Sequence, residues 1–243
     1  LPAYTSDIID VGIQNNGVGH VVPEKMTADE FDTAQFIMTD KETNTWKDIY
    51  EKKDDLYELK GLSNKELNDI DEELTIPLIM NYQMRAMEVD TFKETIAKQM
   101  GKDVSAFADM SVEDIGAMMH VDLKSFKQEK EDDDGNKIKV DCVDVRPIFA
   151  NMLASGAMDK DQILSMRDTM EDTIDTMGSS LVKSMGIAYA VAADKDAGVN
   201  ADKIQKSYLL SAGLKMVGMA LLMGLVTVLV GFFASRIGAG IGM

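Results

Sequence analysis

Met216 to Ser235 reads MVGMALLMGLVTVLVGFFAS, twenty residues without a charge between Lys215 and Arg236. A bilayer core of about 30 Å needs roughly 20 apolar residues in a helix. The flanking cations have stems long enough to reach headgroups on either side. The stretch predicts a transmembrane helix, with Met216, Gly218, Gly224, Gly231 and Ser235 in the span. The competing reading, a buried core helix, rarely stays apolar on every face for so long. Gly231, Ser235 and Ala239 recur every four residues, and so do Ala234, Gly238 and Gly242. Small residues at that spacing let a second helix approach closely, so Gly231, Ser235, Gly238 and Ala239 predict a packing face inside a helix bundle.

Everything before this helix has a soluble composition. With 42 acidic and 23 basic residues, the part before Tyr208 carries a net charge of −19. A nucleic acid partner calls for a basic footprint and is excluded on that ground. Loops rich in Lys and Arg stay on the cytoplasmic side, so an acidic domain ahead of the span, with Arg236 behind it, predicts an extracellular domain on a cell membrane. One cysteine, Cys142, and two histidines, His20 and His120, offer neither an internal disulfide nor an ordinary zinc site. Of 19 methionines, most are read as flexible core filler.

Helix-start signals recur along the chain. Thr27-Ala28-Asp29-Glu30 and Ser63-Asn64-Lys65-Glu66 fit the capping box, and Ser111-Val112-Glu113-Asp114 is a shorter version. Pro77 reads as the first turn of a further helix through Leu78, Met80 and Met84. Several short helices between Thr27 and His120 follow. The period then changes: Val121, Leu123 and Phe126 enter a charged run, Ile138, Val140, Cys142 and Val143 leave it, and Asp134-Gly135 lies between. That pattern predicts a β-hairpin over Asp122 to Val145. The run Lys130 to Asn136 imitates a calcium loop, but it sets Lys130 where the first Asp ligand belongs and reads as a solvated hairpin tip. From Ile163, apolar residues at Met166, Met170, Ile174, Met177, Leu181 and Met185 predict one buried helical stripe, with Gly178 and Gly186 able to break or bend it. Asp194 to Asn200 reads as a turn, and Asn200 as the cap of a helix that runs from Ala201 into the membrane span. The fold class is mainly α, with one small hairpin and a long terminal helix. Three parts follow: 1–22, an inserted domain 23–200, and a stalk with span 201–243.

No G-x-S-x-G, no phosphate-binding G-x-x-x-x-G-K-[ST] and no dinucleotide fingerprint occurs in the chain. No catalytic, cofactor-binding or metal-ligating residue is assigned, and the chain is read as no enzyme.

The two ends carry a resemblance. Leu209 to Leu222, continuing to Gly231-Phe-Phe-Ala-Ser-Arg-Ile-Gly-Ala-Gly-Ile-Gly242, resembles the second transmembrane helix of bacterial ATP-binding cassette (ABC) exporters that carry permease and ATPase in one chain. Leu1-Pro-Ala-Tyr-Thr-Ser-Asp-Ile-Ile-Asp-Val-Gly-Ile13 resembles the segment after the first transmembrane helix of the same family. Typical members have a short outer loop between the two; some carry a large outer domain there, as this chain does. The resemblance implies a piece of a longer transporter, from the end of the first to the end of the second membrane helix. The parent would use ATP and magnesium; this part would need no cofactor. The implied partners are the lipid bilayer, the other transmembrane helices of the transporter and a second transporter subunit. The implied role is contact with substrate, an extracellular peptide or a partner subunit at the outer exit. The alternative is a single-pass surface protein that binds a partner and has no part in transport.

Overall fold

The computed structural model describes residues 17–131, 137–174, 179–200 and 208–210, together with Val11, Asn15, Gln205, Lys206 and Ala212. The chain divides into two compact units: His20–Ala197, and Leu1–Gly19 with Gly198–Met243. The described part is mainly helical with two small antiparallel sheets. Among the described residues, no helix is long and apolar enough to cross a membrane. The span expected at Met216 to Ser235, with Gly218, Gly224, Gly231, Gly238 and Ala239, lies outside them, as does the junction expected at Ala201. In the second unit, Gly17 N–H donates to Val11 O at 2.7 Å and Ala212 is buried, while Leu210 is exposed.

In the unit His20–Ala197, β1 (Lys25–Thr27) leads into α1 (Ala28–Thr33), a 3-10 turn (Ala34–Ile37) and α2 (Asp40–Ile49). Strands β2 (Tyr50–Lys53) and β3 (Leu56–Leu59) form a tight hairpin, turning at Asp54, whose φ of 54° is left-handed. With β1 on the outer side of β3, they make a sheet of order β1-β3-β2. This sheet is a correction to the expectation of helices alone in that region. Its strands are three or four residues long and mostly half-buried or exposed, too short and too charged to display an alternating pattern.

The long helix α3 (Asn64–Arg85) starts as expected, with the complete capping box of Ser63 and Glu66. Ser111 and Asp114 close another at the start of the helix Val112–Met118. Thr39 and Glu42 close a third, ahead of α2, that the sequence reading passed over. The start expected at Pro77 is corrected: Pro77 lies inside α3, thirteen residues past its first residue. Proline there removes a hydrogen bond to the carbonyl of residue 73 and costs about 3 kcal/mol in an exposed helix. Burial on both sides of it, at Leu74, Leu78 and Ile79, holds the helix through the defect. The fully buried Asn81 also bridges it, donating to the carbonyls of Pro77 at 3.1 Å and Ala34 at 3.0 Å.

The remaining elements are β4 (Met87–Glu88), α4 (Val89–Gln99), a 3-10 turn (Val104–Phe107), α5 (Val112–Met118), β5 (Ser125–Glu131), β6 (Lys137–Val143), α6 (Arg146–Ala154), α7 (Lys160–Ile174) and α8 (Ser179–Asp196). The expected hairpin is present as β5 and β6, in register Phe126↔Cys142 and Lys130↔Ile138, with β4 paired to the far side of β6. Its tip, 132–136, lies outside the described residues. Phe92, Phe107, Ile115, Leu123 and Val143 join Met80 in an apolar core between this sheet and helices α3 to α6. Met26, Met38 and Met80 are buried as core filler, whereas Met100, Met118 and Met166 are exposed.

The stripe expected from Ile163 to Met185 is carried by two helices, α7 and α8. Its burial is corrected: the large apolar residues are not uniformly inside. Ile163 and Ile174 are buried, but Met166 is 44 % and Leu181 56 % exposed. The side chains of Met170 and Met177 lie outside the description. On α7 the contact line runs Ile163, Arg167, Ile174, because Arg167 turns inward to a carboxylate and Met166 is left at the edge. On α8 the inner face is Gly186, Ile187, Tyr189, Ala190 and Ala193, so mostly small residues bring this helix close to α3. The helix ends where the sequence places a turn, with Gly198 at φ +81°.

Gly186 marks the closest approach. A Cβ there would meet Val21 Cγ1 at 2.7 Å and Thr75 Cγ2 at 3.4 Å. Val21 cannot yield easily, because its N–H is held by Asp71 Oδ1 at 2.9 Å. In a free helix Gly to Ala gains about 1 kcal/mol, while overpacking costs about 1–3 kcal/mol. Gly186→Ala should therefore destabilise by about 1 kcal/mol net. In a Val21→Ala background the same change should be neutral or stabilising. Denaturant titrations of the two single variants and the double variant measure the coupling; additivity would place the crowding elsewhere.

Candidate functional site

Among the described residues of the unit His20–Ala197, three of the four buried carboxyl groups, Glu30, Glu42 and Asp71, are each tied to cations from distant parts of the chain. Glu30, in the first turn of α1, was expected to complete a capping box with Thr27. Half of that box forms: Thr27 Oγ1 accepts the Glu30 N–H at 3.1 Å. The Glu30 carboxylate goes instead to Arg146 at the head of α6, with Nη1–Oε1 at 2.7 Å and Nη2–Oε2 at 3.0 Å. Asp144 holds the other edge of the same guanidinium through Nε and Nη2 at 2.8 to 3.2 Å. Arg85, at the end of α3, adds a second cation 3.6 Å from Glu30 and hydrogen-bonds Asp196 on α8. Burial alone would raise the carboxyl pKa of Glu30, but the hydrogen bonds and charge of Arg146, with Arg85 behind it, hold it below the usual value.

Glu42 does two jobs at once. Its Oε2 accepts the Thr39 N–H at 2.7 Å, completing the cap of α2, and its two oxygens take Arg167 of α7 at 2.6 and 2.8 Å. Asp71, on α3, accepts Val21 N–H, His20 Nδ1 at 2.8 Å and Lys183 Nζ at 2.8 Å. Burial opposes its ionisation, but His20, Lys183 and the Val21 amide outweigh it and lower its pKa.

Around the Glu42–Arg167 pair, α2, α3 and α7 leave a depression of about 390 Å³, wide open to solvent. Lys41, Glu42, Asp69, Glu72, Glu73, Ile76, Arg167 and Glu171 line it. Five carboxyl groups face two cations, so the depression is negative and attracts cationic groups. Lys41 and Thr45 already engage Glu73, at 3.0 and 2.9 Å. This arrangement of charges supports electrostatic binding.

The residues singled out in the sequence are placed as follows. His20 lies in the Asp71 cluster. His120, two residues past α5, is left-handed at φ 57°, and its carbonyl accepts Asn151 Nδ2 at 3.2 Å. Cys142 is fully buried on β6. The membrane-span and packing residues lie outside the described chain. Glu30, Glu42, Asp71, Arg146 and Arg167 were missed as a group. The one local signal was a charge at a position where helical spacing calls for an apolar residue, as at Arg167 between Ile163 and Ile174.

A search against known protein families, curated proteins and solved structures finds no match for this chain.

Proposed function

We propose that the chain is the extracellular domain and one transmembrane helix of an ABC exporter, and that the domain contacts substrate, an extracellular peptide or a partner subunit at the outer exit. It binds; ATP hydrolysis belongs to the parent's ATPase domain. The observation that carries the reading is the division of the chain. The two segments that resemble exporter sequence, Leu1 to Ile13 and Leu209 to Gly242, fall in one unit, and the inserted residues His20–Ala197 form the other. That division supports the reading of a domain inserted between two consecutive membrane helices. The acidic depression beside Arg167 favours a cationic group among the candidate ligands.

The topology is testable with a cysteine. Cys142 is fully buried and should stay unlabelled in the folded protein, which gives a silent background. Asp122→Cys introduces a thiol at a side chain that is 84 % exposed. A membrane-impermeant maleimide should label this variant in intact cells without lysis. In the same assay, Gly231→Leu with Ser235→Leu should lower the labelled amount at the surface, because a helix bundle needs that small-residue face. Labelling only after lysis overturns the outer placement. Full surface labelling of the Gly231, Ser235 variant favours the plain single-pass anchor instead.

A further inference from the structure

Asp194 is the one buried carboxyl among the described residues that the clusters above leave out. It lies in the last turn of α8 and is only 3 % exposed. Its Oδ1 accepts the Lys25 N–H at 2.8 Å, stapling the end of α8 to the start of β1. Its Oδ2 is buried with no hydrogen-bond partner among the described residues.

The groups around it come from every element packed there, and none gives it a cation. From β1 and its approach come Glu24 and Lys25, but the Lys25 ammonium is held by Glu58 on β3 at 2.5 Å. Tyr50, at the head of β2, donates its hydroxyl to Pro23 O at 2.8 Å. On α8 itself, Tyr189 is fully buried, and Asp196 engages Arg85 of α3. Glu30 has Arg146, Glu42 has Arg167 and Asp71 has Lys183; Asp194 has the Tyr50 phenol, the Glu24 carboxylate and the amides of Lys25 and Glu24.

We propose that Asp194 is a proton-operated latch: protonated, it closes the last turn of α8 onto β1, and ionised, it loosens that seam. A buried carboxylate without a counter-charge is strongly disfavoured, and a negative charge at a helix C-terminus adds repulsion from the helix dipole. Burial accordingly pushes the Asp194 pKa up to about 7; the amides of Lys25 and Glu24 offset this only in part, and the charge of Glu24 adds to it. The sign follows from proton linkage. The folded pKa lies above the unfolded one, so between about pH 4 and pH 7 the folded state holds a proton that the unfolded chain has released. The contribution is full below pH 4 and is lost as pH rises through 7. The lowered pKa values of Glu30 and Asp71 act in the opposite direction and in a lower window, at and below their ordinary values.

The full chain tests this in two ways. In an NMR pH titration, the Lys25 amide should shift with a midpoint near pH 7, and hydrogen exchange at 193–197, corrected for intrinsic rate, should rise through the same midpoint. In denaturant titrations followed by the single tryptophan, the unfolding constant should rise roughly tenfold per pH unit between about 5 and 7. Asp194→Asn should abolish both effects, while His20→Gln, which removes the histidine of the Asp71 cluster, should preserve them. A Lys25 midpoint below about pH 5 overturns the proposal, and so does a slope that survives Asp194→Asn or vanishes with His20→Gln. If Asp194→Asn does not fold, the Lys25 midpoint in the unmodified chain decides alone.

Discussion

Arg146→Met should destabilise the unit His20–Ala197 by about 3–5 kcal/mol, the range for removing one partner of a buried ion pair. Methionine has nearly the length of the arginine stem, so packing survives and the loss is electrostatic. Glu30 is left buried with Arg85 at 3.6 Å as its remaining cation, and Asp144 loses its guanidinium. Domains of this size have a net stability of about 5–15 kcal/mol, so the change could remove most of it. A double replacement, Arg146→Met with Glu30→Gln, should recover a large part of the loss, since it removes the uncompensated charge as well. Denaturant unfolding of the three variants checks this. If Arg146→Met alone stays within about 1 kcal/mol of the parent, the guanidinium is solvated in solution and the pair does not brace α1 against α6.

Trp46→Ala should cost about as much, roughly 3–5 kcal/mol, by a different route. Trp46 is fully buried on α2, stacks on Phe31 at 6.0 Å, meets Tyr50 at 4.8 Å and Tyr189 at 6.5 Å, and donates its indole N–H to Phe31 O at 3.1 Å. Truncation opens a cavity among rings that cannot refill it and takes one of two side-chain donors from the Phe31 carbonyl, leaving Gln35 Nε2 at 2.8 Å. Trp46→Phe restores most of the volume but leaves the indole bond unmade, and should fall between the parent and the alanine variant. Thermal or denaturant unfolding by circular dichroism measures both, since the fluorescence signal is removed with the residue. Equal losses for Phe and Ala would mean that the hydrogen bond, not the volume, holds this aromatic cluster together.

What the sequence disclosed was local. Ser63 with Glu66 and Ser111 with Asp114 form the caps that their spacing announces, because a capping box closes within four residues. The β5–β6 hairpin was legible for the same reason. What stayed hidden depends on residues far apart in the chain. Glu30 looked like a capping residue because Arg146 is 116 positions away. Pro77 looked like a helix start because its tolerance inside α3 depends on Ala34 and on packing that no window around it contains. The stripe on α7 and α8 was misjudged because apolar bulk was taken as the mark of the inner face. There the chain uses an arginine that finds a carboxylate on α7, and small residues that admit a neighbouring backbone on α8. The acidic depression was visible in the sequence only as overall negative charge, since α2, α3 and α7 meet there through long-range packing.

The Lys25–Asp194 contact joins positions 169 residues apart, so the polypeptide enters and leaves the unit His20–Ala197 at one seam. A module with that layout can be spliced into a surface turn of an unrelated host without prying the host apart, because the two splice points need be separated by little more than a turn. It also permits relinking: joining the two ends with a short flexible segment and opening the chain at an exposed turn such as Asp54-Asp55 would leave the interior untouched.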